Sequence, residues 1–276
     1  MHNPIVNGLF YPDDKRTLGL AIDHLIDSAK NEPSDSIAII SPHAGLKYSG
    51  KYAGEAFNSV RLRKIKTVIV AGPVHREFSD SLYLPESSRF RTIEGKVDID
   101  VDFINNVGKN CHQIERSNIP YYEEHSIEMQ LIFIKHLFPD AGVVPILCGS
   151  PSGSNIKDMK KIFDYGLKNL EDEILIVISS NLSAYLPFDK AKMDSEKSLE
   201  YIREKNWKTL MDRYRKKKIT MCGAACISAF LKSANSRVDA RIINTGTSNL
   251  IFKNNDSCVF YGSVSFNLKQ KGLANE

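Results

Sequence analysis

The sequence predicts an α/β fold: one domain over residues 1–276, built on a central, largely parallel or mixed sheet with helices on both faces. Three observations carry this. Short, continuously apolar runs rich in Ile and Val recur along the chain, and a strand that is apolar at every position is buried on both faces. Between them lie stretches with apolar residues at i, i+3, i+4 and i+7, the spacing of a helix face. Several of the runs stop at Gly, Pro or Ser turns. Strands interleaved with amphipathic helices make a layered α/β domain.

The elements follow in chain order. Ile22, Leu25, Ile26 and Ala29 mark a first helix, and residues 35–40 (DSIAII) a buried strand closed by Ser41 and Pro42. Ala53, Ala56, Phe57 and Val60 place a helix over 49–60, and residues 67–70 (TVIV) a second strand ended by Gly72 and Pro73. Residues 82–100 contain Pro, Gly and short alternating runs, which suits a β-hairpin excursion. Ile127, Leu131 and Ile134 mark the next helix, with Ser126 as its N-cap and Glu128 in its first turn, where a carboxylate suits the helix dipole. A strand at 143–147 follows, then a helix through Ile156, Met159, Phe163 and Leu167, then a strand at 174–178. The basic run 213–218 (RYRKKK) reads as a solvated helix end, and an apolar segment spans 224–231. Strands at 238–244 and 258–266, joined by a polar turn, close the pattern.

Composition bounds the function. The 276 residues are 42% hydrophobic, 9% aromatic and 25% charged, with a net charge of +4. That is average globular usage, which excludes disordered, collagen-like and fibrous chains. So small a net charge speaks against nucleic acid as a partner. No apolar stretch approaches the ~18 residues of a membrane span. Residues 13–16 are all charged and no apolar signal segment precedes them. The five cysteines are odd in number and form no CxxC pair. Together these point to a reduced, cytoplasmic protein.

In open α/β sheets, ligands bind in the crevice beyond the carboxyl ends of the strands. Two histidines fall there: His43 after the strand at 35–40, and His75 after the strand at 67–70, each on a Gly/Pro turn. Ser179, Ser180 and Asn181 follow a third strand. His125 stands just before a helix start, where it could act as acid, base or anion donor. Cys222 precedes Gly223 and the segment 224–231, and a cysteine at a helix N-terminus tends toward thiolate. Cys111, Cys148, Cys226 and Cys258 read as small packing residues. Two imidazoles and a thiolate converging on one crevice would suit zinc, iron or copper. Positions 43, 75 and 222 are too far apart for a local finger motif, so convergence rests on the fold.

Several of these strings run in one order over nearly the whole chain: GLFYP at 8–12, SPHAGLKYSG at 41–50, GPVH at 72–75, EHSIEMQ at 124–130, SSNLSAY at 179–185, and Cys222 with Gly223. Thr92, Gly95 and Val97 fall among them. Together they resemble the Memo-like family, protein B of the AmmeMemoRadiSam system, which is related to the catalytic subunit of class III extradiol dioxygenases. The resemblance implies an extradiol-dioxygenase-like sheet between helices, and a metal site formed by His43, His75 and Cys222. Iron or copper would be its occupant, with zinc as the third choice. It also places His125 near the pocket as a catalytic residue that relays protons or orients a small molecule. The related dioxygenases open aromatic diols at a face of two histidines and one carboxylate, so a thiolate ligand weakens direct transfer of that activity.

The chain departs from the family at Asn181 and Ala184, where the usual motif carries Asp and His, and at Thr245, Gly246 and Thr247, where a late Ser-Gly-Asp is replaced. Asn supplies no anionic ligand or general base, and Ala supplies no functional group. Two readings follow. One is a metal-dependent, dioxygenase-like redox protein acting on an unknown small molecule. The other is a non-catalytic accessory protein that works with radical-SAM and AMMECR1-type partners. A cysteine-nucleophile hydrolase finds less support, because no oriented base follows Cys222 in the sequence.

Overall fold

The computed structural model describes residues 2–76, 79–170, 173–253 and 255–269. Its centre is four parallel strands: β1 (Ala38–Ser41), β2 (Thr67–Pro73), β7 (Gly142–Cys148) and β8 (Ile174–Ser179). Nearly every residue in them is buried, as their unbroken apolar sequences require. The strands lie side by side as β1-β8-β2-β7, with Ile40 opposite Ile178 and Ala71 opposite both Ile178 and Ile146.

Antiparallel strands extend both edges. On one side β11 (Cys258–Leu268) pairs with β1, and β10 (Val238–Thr247) and β9 (Ser183–Leu186) pair with β11. On the other, β3 (Leu82–Leu84) runs antiparallel to β7 and pairs with β6 (Ile114–Arg116). The expected hairpin excursion over 82–100 therefore divides. Its first strand joins the main sheet, and only β4 (Arg89–Thr92) and β5 (Gly95–Asp98) form a separate hairpin. The physical reason is burial: Leu82, Tyr83 and Leu84 are all buried, whereas β4 alternates exposed and buried positions.

Helices cover the sheet in two groups. α1 (Lys15–Asp27), α2 (Leu46–Asn58) and α4 (Glu128–Leu137) pack together, with Phe57 and Phe133 stacked 4.9 Å apart. α3 (Val101–Gly108), α5 (Gly153–Lys168), α6 (Phe188–Arg203), α7 (Trp207–Arg215) and α8 (Ala224–Ala234) form the second group. The basic run does close a helix: α7 ends at Arg215, within 213–218. Gly54 of α2 lets α1 approach closely, since a Cβ there would lie 2.6 Å from the Leu25 carbonyl oxygen. Asp14 caps α1 by accepting from the amides of Arg16 and Thr17.

α1, α4 and the β4–β5 hairpin are fastened at one histidine. His136 Nδ1 lies 2.9 Å from Glu94 Oε1 and Nε2 lies 2.8 Å from Asp23 Oδ1. A neutral imidazole has a single N–H, so two carboxylate bonds require the imidazolium. Burial opposes that charge, but the bonds to Glu94 and Asp23 outweigh it and raise the pKa above the usual 6.5. The group is raised on folding, so its stabilisation is complete below about pH 6.5 and is lost as pH climbs through the elevated value. The gap in melting temperature between the wild type and His136→Gln is expected to be widest in mild acid and to narrow in alkali. A gap that widens with pH would contradict this.

Candidate metal centre

Because β1, β8 and β2 are parallel and adjacent, their carboxyl ends meet on one edge. That edge carries His43 two residues beyond β1, Asn181 two beyond β8, and His75 two beyond β2. Two glycines let other segments close over it. At Gly72 a Cβ would lie 2.6 Å from Ser126 Oγ, and the Ser126 hydroxyl donates to the Pro73 carbonyl at 2.9 Å. Ser126 thus fastens its segment to β2. It is not the N-cap of α4, which begins at Glu128 with no side-chain cap. At Gly223 a Cβ would lie 2.6 Å from Ser180 Cβ, and the Gly223 amide donates to Ser180 Oγ at 2.9 Å. The first dock brings in His125 and the second brings in Cys222.

Three imidazoles converge. His43, His75 and His125 each offer a ligand atom, and these atoms all lie within 4.8 Å of one another. Ring centroids are 5.2 Å apart for His43 and His75, 5.5 Å for His43 and His125, and 5.3 Å for His75 and His125. Cys222 lies outside that tight group, beside His75, whose protonated ring it favours electrostatically. Its Sγ also lies 3.8 Å from the Asn181 carbonyl oxygen. Cys148, Cys226 and Cys258 are buried, and Cys111 is half-buried.

Each ring has its own support. His43 is 1% exposed, its Nδ1 lies 2.8 Å from Ser179 Oγ, and its Nε2 is buried with no hydrogen-bond partner among the described residues. Burial, reinforced by the neighbouring His75 and His125, pushes its pKa well below the usual imidazole value. His75 Nδ1–H donates to the Glu124 carboxylate at 2.9 Å, and its backbone amide donates to the same group at 2.7 Å. Burial opposes protonation of His75, but its interactions with Cys222 and Glu124 win and raise its pKa to about 10. His125 is half-buried; burial, aided by His75 and Arg76, lowers its pKa despite the adjacent Glu124.

Glu124 had no role assigned from sequence, and it is the keystone of the His75 side. It is 4% exposed and accepts from the amides of His75 and Ser126 and from the His75 ring. Burial alone would raise its pKa, but these donors and the charges of His75 and His125 hold it below the usual carboxylate range. A carboxylate behind a histidine, on the nitrogen away from the site, is the usual outer support of a metal-binding imidazole. Its sequence signals were adjacency to His125 and its place at the head of the EHSIEMQ string. Glu128, by contrast, is structural. It accepts from the amides of Ile5 and Val6 and from Tyr11 Oη, which ties down the N-terminal segment.

That segment brings Phe10 against His125, ring centroids 5.1 Å apart. Beside them opens a cleft of about 420 Å³ lined by Phe10, Tyr48, His125, Asn181, Tyr185 and Tyr261, among others. Phe252, the last residue of the short helix α9 (Asn249–Phe252), stacks on Tyr48 at its rim. Asn181 Oδ1 accepts from the His43 amide at 3.3 Å, so the amide side chain still supports the His43 turn. Ala184 contributes no side-chain polar group, and its backbone amide donates to Thr220 Oγ1.

Comparison with known proteins bears on the fold and the family. The solved structure of the uncharacterized protein JW3007 from Escherichia coli K12 superposes with a TM-score of 0.51 at 10% identity, covering 83% of this chain and 98% of that one. That likeness concerns the fold. A MEMO1 family protein of Methanococcoides burtonii is 28% identical over 251 residues, 90% of this chain and 93% of the relative. One from Aquifex aeolicus is 29% identical over 235 residues, 85% and 86% of the two chains. The family described as Memo-like protein matches residues 2–265. The chain belongs to the Memo-like family.

Proposed function

We propose that the chain binds one redox-active metal ion, iron or copper, between His43 and His75. Cys222 completes the donor set, and a small molecule is handled in the adjoining cleft, which His125 lines. The observation that carries this reading is His43 Nε2, buried without a partner in a group of three imidazoles. Leaving a buried polar atom unpaired costs roughly 1–3 kcal/mol, and a cation at this point gives it a partner. On the other side, Glu124 takes His75 Nδ1, which leaves Nε2 as the ring nitrogen free to ligate, with Cys222 acting on the same ring. A metal held there would gain an imidazole and a thiolate together.

Imidazole and thiolate donors select iron, copper or zinc over magnesium or calcium. Iron or copper bound there would supply one-electron redox chemistry with positions open to a small molecule. The chain's own residues do the rest. Glu124 holds His75 in place, Asn181 supports the His43 turn, and Phe10 and Tyr48 exclude water from the cleft wall. His125, the member of the imidazole group that also lines the cleft, is placed to exchange a proton with a molecule bound there.

Thiol alkylation tests the donor set. Iron(II) or copper(I), added anaerobically at one equivalent, is expected to slow alkylation of Cys222 at least tenfold, and His43→Ala is expected to remove that protection. Equal alkylation rates with and without metal would count against Cys222 as a ligand. Protection by zinc alone would count against a redox role.

A second reading draws on a different observation. Leu9, Tyr185, Leu250 and Phe252 are 81%, 79%, 73% and 66% exposed, and three of the four line the cleft. Exposed apolar clusters of this kind mark contact surfaces, which suits an accessory protein. Co-purification with radical-SAM and AMMECR1-type proteins, weakened by Leu250→Glu, would favour it. Failure of such partners to bind would remove it.

A further inference from the structure

We infer that Ser179 is a positioning residue that locks His43 in the Nδ1–H tautomer, with Gln130 bracing it, so that a bare Nε2 lone pair faces His75 and His125. The inference rests on the metal reading only for its purpose; the tautomer follows from hydrogen-bond geometry.

Four buried groups fix the protons. Gln130 Nε2 lies 3.0 Å from the Pro42 carbonyl and 2.9 Å from Ser179 Oγ. A carbonyl only accepts, so the amide end facing it is the NH₂, and that same NH₂ donates to Ser179 Oγ. Ser179 Oγ also lies 2.7 Å from the Ser126 carbonyl oxygen. Two oxygens that close need a hydrogen between them, and the serine hydroxyl holds the only one available. Its single proton is therefore committed to Ser126. Ser179 Oγ has only acceptor capacity left for the third neighbour, His43 Nδ1 at 2.8 Å, so Nδ1 must carry the hydrogen. The neutral ring then bears no hydrogen on Nε2, the atom that lacks a partner.

The order of the chain accounts for this convergence. Ser179 ends β8, the neighbour of β1, which leads into His43. Gln130 lies on α4 and reaches Pro42, the residue before His43. Ser126 belongs to the segment that delivers His125. One hydroxyl thus joins the three segments that carry His43, His125 and the β8 edge. The two metal-facing histidines also differ in their backing: His75 leans on a carboxylate and His43 on a neutral hydroxyl.

The test is long-range ¹H–¹⁵N correlation of histidine in the metal-free, ¹⁵N-labelled full chain, together with metal affinity. The wild type is expected to show His43 protonated at Nδ1 and bare at Nε2. Ser179→Ala is expected to lose that tautomer preference and to weaken iron(II) or copper(I) binding by roughly 10–100-fold, the usual loss for an outer-shell partner. A wild-type ring protonated at Nε2 overturns the inference, and needs no variant to be folded. A Ser179→Ala chain with an unchanged tautomer and unchanged affinity overturns it as well. A wild type with the expected tautomer that binds no metal upholds the positioning role and instead defeats the metal reading.

Discussion

His43→Ala is expected to abolish stoichiometric metal binding while leaving the fold intact. Within the three-imidazole group, the substitution removes the one buried ring nitrogen that has no hydrogen-bond partner among the described residues. Loss of an outer support typically costs about 10–100-fold in metal affinity, and loss of a direct ligand should exceed that. The Ser179 hydroxyl keeps Gln130 and Ser126 as partners, so the surrounding network survives. Isothermal titration with iron(II) under anaerobic conditions, alongside far-UV circular dichroism, checks both halves. Wild-type affinity in the variant would place the ion elsewhere.

Glu124→Ala is expected to weaken both metal binding and stability. The carboxylate accepts from two backbone amides, at 2.7 Å each, and from the His75 ring. Alanine strands those amides, at about 1–3 kcal/mol for each buried donor left unpaired. Water from the hollow of about 240 Å³ that Glu124 also lines would offset part of this. His75, released from its support, should lose about 10–100-fold in metal affinity. Glu124→Gln separates the two effects. The amide oxygen can still accept from one of the backbone donors, so stability should recover more than affinity does. Denaturant unfolding and metal titration of both variants check this; an Ala variant as stable as wild type would contradict it.

The strands that frame the site were legible because they are apolar at every position, and burial on both faces leaves no other reading. Where a segment's buried face is polar or small, periodicity failed. α6 buries Ala191, Asp194, Ser195 and Ser198 ahead of Leu199 and Ile202, so no apolar stripe announced it. β6 reads Ile-Glu-Arg and is mostly exposed. Its strand character comes from pairing with β3, not from its own composition.

The candidate site divides the same way. His43 and His75 stood out because each follows a buried strand, and parallel strands share an edge. That His125 joins them within 4.8 Å depends on Ser126 docking beside Gly72, a contact between segments 54 residues apart that no local pattern encodes. Ser126 looked like a helix cap because a serine before an apolar-periodic run usually is one. Tertiary contact took its hydroxyl instead. Glu124 carries no such local pattern, since its role comes from accepting the His75 and Ser126 amides across the fold. Nothing local to Cys222 pointed to His75, about 150 residues away in sequence, whose pKa Cys222 and Glu124 together raise.

The most direct test is X-ray absorption on the wild-type chain loaded anaerobically with one equivalent of iron(II) or copper(I). The predicted result is a single tightly bound ion with imidazole nitrogens at about 2.0–2.1 Å and one sulfur at about 2.3 Å, taking the lengths usual for such donors at zinc. The sulfur should vanish in Cys222→Ser and the imidazole signature should diminish in His43→Ala. An ion surrounded only by oxygen, or no stoichiometric ion at all, would contradict the account.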